Sequence, residues 1–459
     1  MADSDPRLTP STAFLEHTRA SVARRVETFT ARAGRTRPPG EDYPGQAALW
    51  AAIDAHVGSL APDLTALAED LHGHPETAFE EFRSRDALAD LLRGHDQDVE
   101  VGVHGVATSL RAEWAAPGFD AARHPTVAVM SEYDALPGIG HACGHNIIAA
   151  AGAGAYLAAV RALAETPGAP VRVSLLGTPA EEGHSGKEYM IRGGMLTDVD
   201  AAVMVHPFSY DIASHTWIGR RVLTARYRGV PAHASSQPFM GRNALDAATL
   251  AYQGIGLMRQ QMPPSDRVHA VISDGGERPS VVPGEAELTI YVRSQLADAL
   301  QDLSARVDDI LRGAALMAGV AVEIDWDPHP ASLPIRNNQT LARRWAGTQA
   351  RLGRVAMPGG IVPDSLAAST DFGNVSHLVP GIHPMVKVAP ESVALHTEAF
   401  ERCSRGPAAD RATLDSAAGL AQVVADLARD PDLLADARKE FDAAGGPVGV
   451  DELFNLGGD

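Results

Sequence analysis

Gly140-His141-Ala142-Cys143-Gly144-His145-Asn146 sets one thiol and two imidazoles within five positions of each other. It begins ten residues after Met130, where the short apolar run Val127–Met130 ends and Ser131-Glu132-Tyr133-Asp134 follows. A turn can be built from Gly, Asn or Asp alone and has no need of so many good ligands. Zinc and its neighbours accept sulfur, imidazole nitrogen and carboxylate oxygen, and catalytic sites keep one position for water. Cys143 and His145, two apart, suit a loop that turns both side chains toward one point.

A lone Cys-x-His is weak, and what strengthens it lies further along the chain. Val171–Leu176 and Ala201–Val205 are further short apolar runs suited to buried parallel strands, and Ile147–Leu163 between the first two runs reads as a helix. Each run stops at polar residues, and in an open α/β sheet chemistry gathers at the carboxyl ends of strands. Glu181-Glu182 follows one such end. Adjacent side chains diverge, so one carboxylate can hold a metal while the other stands over the open coordination site. His206 is expected to end a third strand, and His396 sits in Ala394-Leu395-His396-Thr397-Glu398. Each alone reads as a packed or surface residue; their delivery from separate strand ends favours a metal centre. The competing chemistry for Cys143 is nucleophilic, with His141 or His145 as base. That reading leaves His206 and Glu182 without a task.

The bulk numbers narrow the field. A chain of 459 residues is too long for one ordinary core. With 45% hydrophobic and 21% charged residues it has the composition of a soluble globular protein. A formal charge of −19 argues against nucleic acid and an anionic membrane surface. Two cysteines, Cys143 and Cys403, do not make a disulfide scaffold. Neither a leader pattern nor an 18-residue apolar span is evident, so a cytoplasmic protein is expected. Only three basic residues, Lys187, Lys387 and Lys439, are lysines.

The expected fold class is α/β, a doubly wound catalytic domain with an inserted two-layer α/β lid. Residues 1–40 read as a surface extension with a weak helix near Thr12–Arg32. Residues 41–216 form the first part of the catalytic domain, helical from Tyr43 to about Leu92. Residues 217–326 form the insertion: strand Val222–Arg228, helix Asn243–Met258 with an Asn cap, strands Val268–Ile272 and Glu285–Arg293, helix Ala299–Ala318 and strand Val320–Trp326. Residues 327–430 return to the catalytic domain, with a strand at Met385–Val388. Residues 431–459 read as an acidic tail without strong patterning.

Taken together, these segments resemble the M20 metallopeptidases, particularly the amidohydrolase branch that carries His-Ala-Cys-Gly-His. Ser131–Pro137, Gly140–Asn146 and Ser369-Thr370-Asp371-Phe372-Gly373-Asn374-Val375-Ser376 are similar to the M20 domain-containing protein 2 and aminobenzoyl-glutamate hydrolase groups. The resemblance runs from about His72 to about Phe400. It implies that Cys143, His145, Glu182, His206 and His396 hold two divalent cations per subunit, with zinc expected and manganese, cobalt or nickel as alternatives. Glu181 would be the general base, and Asp134 would orient a ligating imidazole. His233, in Gly229-Val230-Pro231-Ala232-His233-Ala234, would reach the substrate, often across a homodimer formed through the lid. Asn243 is a helix cap that in relatives also touches substrate, and Arg293 would clamp a terminal carboxylate. Asn146 stands where many members have Asp, and His184 is an added titratable group.

The expected activity is metal-dependent hydrolysis of an amide in a dipeptide or an N-acyl or aminoacyl amino acid. The alternatives are a deacylase of small N-acyl amines without a carboxylate and a noncatalytic metal-binding assembly protein.

Overall fold

The structure, a computed structural model, describes residues 10–33, 47–166, 168, 170–363 and 368–454. The expectations for residues 1–9, 34–46 and 455–459 lie outside these described residues. Strands β1 (Val99–Val101), β2 (Leu110–Ala115), β3 (Thr126–Ser131), β4 (Arg172–Gly177) and β5 (Ala201–Val203) build the first sheet. After them β6 (His206–Phe208) starts a separate pair. The chain then makes a second sheet from β7 (Gly219–Arg228), β8 (Arg267–Asp274), β9 (Glu285–Ser294) and β10 (Ala321–Trp326). It returns with β11 (Gly381–Ile382), which joins β5, and β12 (Met385–Lys387), which joins β6.

The first sheet has the order β1-β2-β4-β3-β5-β11. Its centre is parallel, whereas β1 and β2 are antiparallel additions that apolar-run reading did not anticipate. Every residue of β3 is buried, as a strand covered on both faces requires. Val127 and Val129 face a core shared with the helices Ala47–Gly73, His145–Glu165 and Pro407–Arg429. Ala128 and Met130, one step out of phase, face Met190, Phe372 and Val375 on the other side. His145–Glu165 is the one described helix long and apolar enough to cross a membrane, and it is 89% buried inside the protein.

The second sheet, in the order β10-β7-β9-β8, is wholly antiparallel and carries the helices Ala244–Met258 and Ala297–Ala318 on one face. In β9, Ala286, Leu288, Ile290 and Val292 point into that layer, so the alternating residues face away from it.

Two expectations need correction. His206 does not end β5: Met204 and Val205 intervene, and His206 opens a new strand paired to Met385. Nor is the region after 430 a patternless tail. It forms the helices Pro431–Ala443 and Val450–Leu453, capped at the first by Asp430. Leu433, Ala437 and Phe441 bury one helical stripe, and Val450 and Phe454 enter the core of the four-stranded unit.

Candidate metal centre

The ligand loop lies between β3 and the buried helix that follows it. Gly144 has φ +78, and a Cβ there would stand 2.8 Å from Pro207 Cγ. Glycine therefore lets the loop carrying Cys143 press against the strand that starts at His206. The Glu181-Glu182 turn is equally constrained, with Ala180 and Ser185 both at positive φ and Gly186 closed against the Pro179 carbonyl. His396 also takes a left-handed conformation, φ +59, and its N–H donates to the Ala142 carbonyl at 3.0 Å. Non-glycine residues rarely hold such angles unless their surroundings over-determine them, as at functional sites.

These four segments bring their donor atoms together. Cys143 Sγ lies 3.4 Å from His206 Nε2 and 3.5 Å from His396 Nε2. His396 Nε2 is 3.5 Å from Glu182 Oε1, and His145 Nε2 is 3.5 Å from Glu132 Oε2. Atoms about 3.5 Å apart match the edge of a tetrahedron with bonds of about 2.0 and 2.3 Å, the usual zinc–nitrogen and zinc–sulfur lengths. Cys143, His145 and His206 form one possible metal-holding group; Cys143, Glu182 and His396 form a second; His145, Glu181 and Glu182 form a third. Cys143 belongs to two of them, which suits a pair of neighbouring cations.

The hydrogen bonds behind the donors fix which nitrogen is bare. His206 Nδ1 donates to the Pro207 carbonyl at 2.7 Å, leaving Nε2 as a lone pair. His145 Nδ1 lies 2.9 Å from Asp134 Oδ1, and Asp134 Oδ2 accepts the Glu182 N–H at 2.8 Å. His145 Nε2, Glu132 Oε2 and Glu182 Oε1 are buried without a hydrogen-bond partner among the described residues. Orphaned buried polar atoms are costly, and a cation among them would remove the cost.

Electrostatics agree with that fit at His206 and His396. Burial, then the charge on His145, holds His206 down at about 3, and the same two causes lower His396. Both rings thus stay neutral and able to ligate. Burial opposes charge on His145, but Asp134 outweighs it and raises that ring well above the usual range, so a cation binding at Nε2 would have to displace a proton there. Burial and Glu182 push the Cys143 thiol up. Glu181, partly open to the pocket, is raised well above the carboxylate range by desolvation, then by Glu132 and Glu182. Cations would relieve this crowding of acidic groups.

Above the cluster lies a pocket of about 480 Å³ whose floor is Cys143, Glu181, Glu182, His206 and His396. Its opposite wall comes from the second sheet and includes Arg293. His233 does not reach it within one chain: the residue is exposed, and its Nδ1 accepts from the Ser235 and Ser236 N–H groups at 3.3 Å. Asn243 also stands outside it, capping its helix by accepting from Leu245 N at 3.0 Å.

Reading the sequence missed a buried charge cluster beside the ligands. Lys187 Nζ pairs with Glu132 and, at 2.7 Å, with Asp371, all three fully buried. Asp371 also accepts the Lys187 backbone N–H at 2.8 Å. The signal was available in Gly186-Lys187, one of three lysines in an arginine-rich chain, just after the glutamate pair.

Residues 128–429 match peptidase family M20/M25/M40. The mouse protein "Xaa-Arg dipeptidase" is 38% identical over 392 residues, covering 84% of this chain and 90% of its own length. A p-aminobenzoyl-glutamate hydrolase chain of Escherichia coli K12 is 30% identical, covering 85% of this chain and 94% of its own length. Among solved structures, the Bacillus subtilis YXEP protein, described as a dinuclear metal-binding peptidase of family M20, superposes with a TM-score of 0.60 at 20% identity. That superposition covers 80% of this chain and 99% of the other. With this fold, this cluster of donors and these relatives, the chain belongs to peptidase family M20/M25/M40 and is a metallohydrolase.

Proposed function

We propose that this enzyme hydrolyses the amide bond of a dipeptide or an N-acyl amino acid at the Cys143, His145, Glu182, His206 and His396 centre. The observation that carries the reading is the convergence of these five donors beside Glu181, beneath a pocket whose far wall holds Arg293. Two divalent cations bound there would acidify a water and polarise the scissile carbonyl. Glu181 takes the proton of the attacking water and delivers it to the departing amine. Asp134 holds the His145 ring in its ligating tautomer and ties the Glu182 backbone to the same point. Arg293 offers a guanidinium fork to the substrate's terminal carboxylate.

The thiol, imidazole and carboxylate set favours zinc as the resident metal, with manganese, cobalt and nickel as the competitors to exclude. We further propose that residues 217–326 act as a lid and as the contact of a cytoplasmic homodimer. His233, lying outside its own chain's pocket, then serves the partner's site. The two hydrogen bonds into Nδ1 leave its proton on Nε2, a donor suited to a developing oxyanion.

The names of the relatives point to two different amine-side residues, arginine and glutamate. The test is a panel of aminobenzoyl-glutamate, dipeptides with acidic or basic carboxyl-terminal residues and simple N-acyl amino acids, each assayed with several metals. Turnover that depends on metal and disappears in Glu181→Gln supports the reading. Full activity in metal-free protein sinks it.

A further inference from the structure

Strands β7, β9 and β8 run side by side, and their register sets Arg220 opposite Arg293 and Arg293 opposite Arg267. Residues directly opposite share a face, so the three guanidinium-bearing side chains form one row across three strands. In β9 that face is the one turned away from the helices, and all three arginines line the pocket over the metal cluster. Like charges directly opposite each other in a sheet are destabilising. A row of three at one sheet end therefore calls for a counter-charge.

Among the described residues no salt bridge supplies one, and the only carboxylates that act on the row, Glu182 and Asp327, do so through space on Arg220 alone. Arg220 donates to the Gly183 carbonyl at 3.2 Å and to the hydroxyls of Ser185 and Ser332, and its Nε is buried without a partner. Arg267 donates to the Pro264 and Asp266 carbonyls, the latter at 2.6 Å. Arg293 lies over the Tyr291 ring, 5.0 Å from its centroid. All of these partners are neutral, and among the described residues none of the three arginines pairs with a carboxylate. Burial, then the charge of Arg220, makes the charged form of Arg293 harder to hold. By contrast, Arg221 and Arg226 on the same strand have Asp327 and Glu287.

Neighbouring strands are about 4.8 Å apart, so the row spans about 10 Å. One carboxylate accepts one guanidinium fork well, or bridges two, and leaves the rest of the row uncompensated. Two carboxylates on one short residue can answer it. Resting on the amide-hydrolase reading above, we propose that Arg220, Arg293 and Arg267 read two carboxylates on the amine side of the substrate. The enzyme then releases an acidic amino acid and rejects a cationic one.

The test uses metal-loaded enzyme and three substrates with one acyl group: aminobenzoyl-glutamate, aminobenzoyl-glutamine and aminobenzoyl-arginine. The expected kcat/KM for glutamate exceeds that for glutamine by on the order of 100-fold, with arginine lower still. Arg267→Gln, at the exposed end of the row, should reduce the glutamate-to-glutamine ratio by about tenfold or more, and Arg293→Lys should do the same through loss of the fork. Equal or better turnover of the glutamine or arginine substrate, or an unchanged ratio in both variants, overturns the proposal. If metal-loaded protein turns over none of the three, the aminobenzoyl group is not accepted; inactivity across the wider dipeptide and N-acyl panel as well fails the amide-hydrolase reading, and in either case calorimetry with free glutamate and glutamine still reads the row. Glutamate binding that Arg267→Gln weakens supports the row; equal binding of glutamine, or none of glutamate, overturns it.

Discussion

The Asp134 carboxylate sits 2.9 Å from His145 Nδ1, and its second oxygen accepts the Glu182 N–H. One buried side chain therefore orients two proposed ligands from different segments. Asp134→Ala should weaken metal binding by about 10- to 100-fold, because the imidazole loses its fixed tautomer and the glutamate turn its anchor. Competition with a chelator reads the change, and circular dichroism checks that the fold remains. Unchanged affinity in a folded variant would remove Asp134 from the site.

Glu181 and Glu182 are neighbours with different expected losses. Glu181→Gln should keep both cations and lower kcat by a factor on the order of 1,000, the usual reach of a positioned acid–base group. Glu182→Gln should instead lose metal, since Glu182 Oε1 faces His396 at 3.5 Å. Metal content by elemental analysis, alongside turnover, separates the two. The opposite pattern would exchange their roles.

The metal donors were legible because they are chemically unusual over short spans. Cys143 and His145 crowd one loop, and Glu181-Glu182 follows a strand end. Glu132 was not legible, since a glutamate after an apolar run reads as a solvated residue until Lys187 and Asp371 cover it. The arginine row was legible only at Arg293: which residues of β7 and β8 lie opposite it depends on register, and spacing alone leaves register open. The C-terminal helices are a different case. Leu433, Ala437 and Phe441 already carried a helical stripe, hidden among acidic residues.

Phe454 ties that C-terminal segment to the four-stranded unit. The guanidinium of Arg221 stacks 4.0 Å from its ring centroid and 4.2 Å from that of Trp326, while Gln301 donates to the Leu453 carbonyl at 2.7 Å. Arg192, on the catalytic side, reaches Asp451 at 2.7 Å. Phe454→Ala should cost about 3 kcal/mol locally. Hydrogen exchange should quicken in the helix Ala297–Ala318 before it changes in His145–Glu165. Uniform loosening would place Phe454 in a single cooperative core.

His377 gives a pH signature away from the metals. Its Nε2 donates to the Pro334 carbonyl at 3.0 Å, and burial, then Arg336, pushes its pKa from 6.5 to about 4. A base depressed by folding stabilises fully above its unfolded value, so this contribution is present above pH 6.5 and is lost as pH falls toward 4. The full loss is on the order of 3 kcal/mol. His377→Gln keeps a donor and cannot titrate. Its urea midpoint should fall less than that of the parent between pH 7 and pH 4.5, roughly the window set by those two values. Parallel curves would show that His377 charges freely in the folded protein.

Sharing of the site between subunits can be read by mixing. His233 is exposed and lies outside the pocket of its own chain, whereas Glu181 is on the pocket floor. The four-stranded unit ends in β8 and β10, each with one edge unpaired among the described residues, and a second copy offers a way to cover such an edge. Sedimentation at assay concentration should report a dimer. Glu181→Gln and His233→Ala homodimers should each be nearly inactive. In a mixed dimer, one site has both lesions and the other has neither if His233 acts across the interface. Exchange of subunits should then restore activity toward one competent site per mixed dimer, half the parental turnover for that species. If His233 serves its own chain, every site in the mixture keeps one lesion and no activity returns. Fluorescently labelled subunits verify that exchange has occurred, so silence after exchange would rule out the shared site.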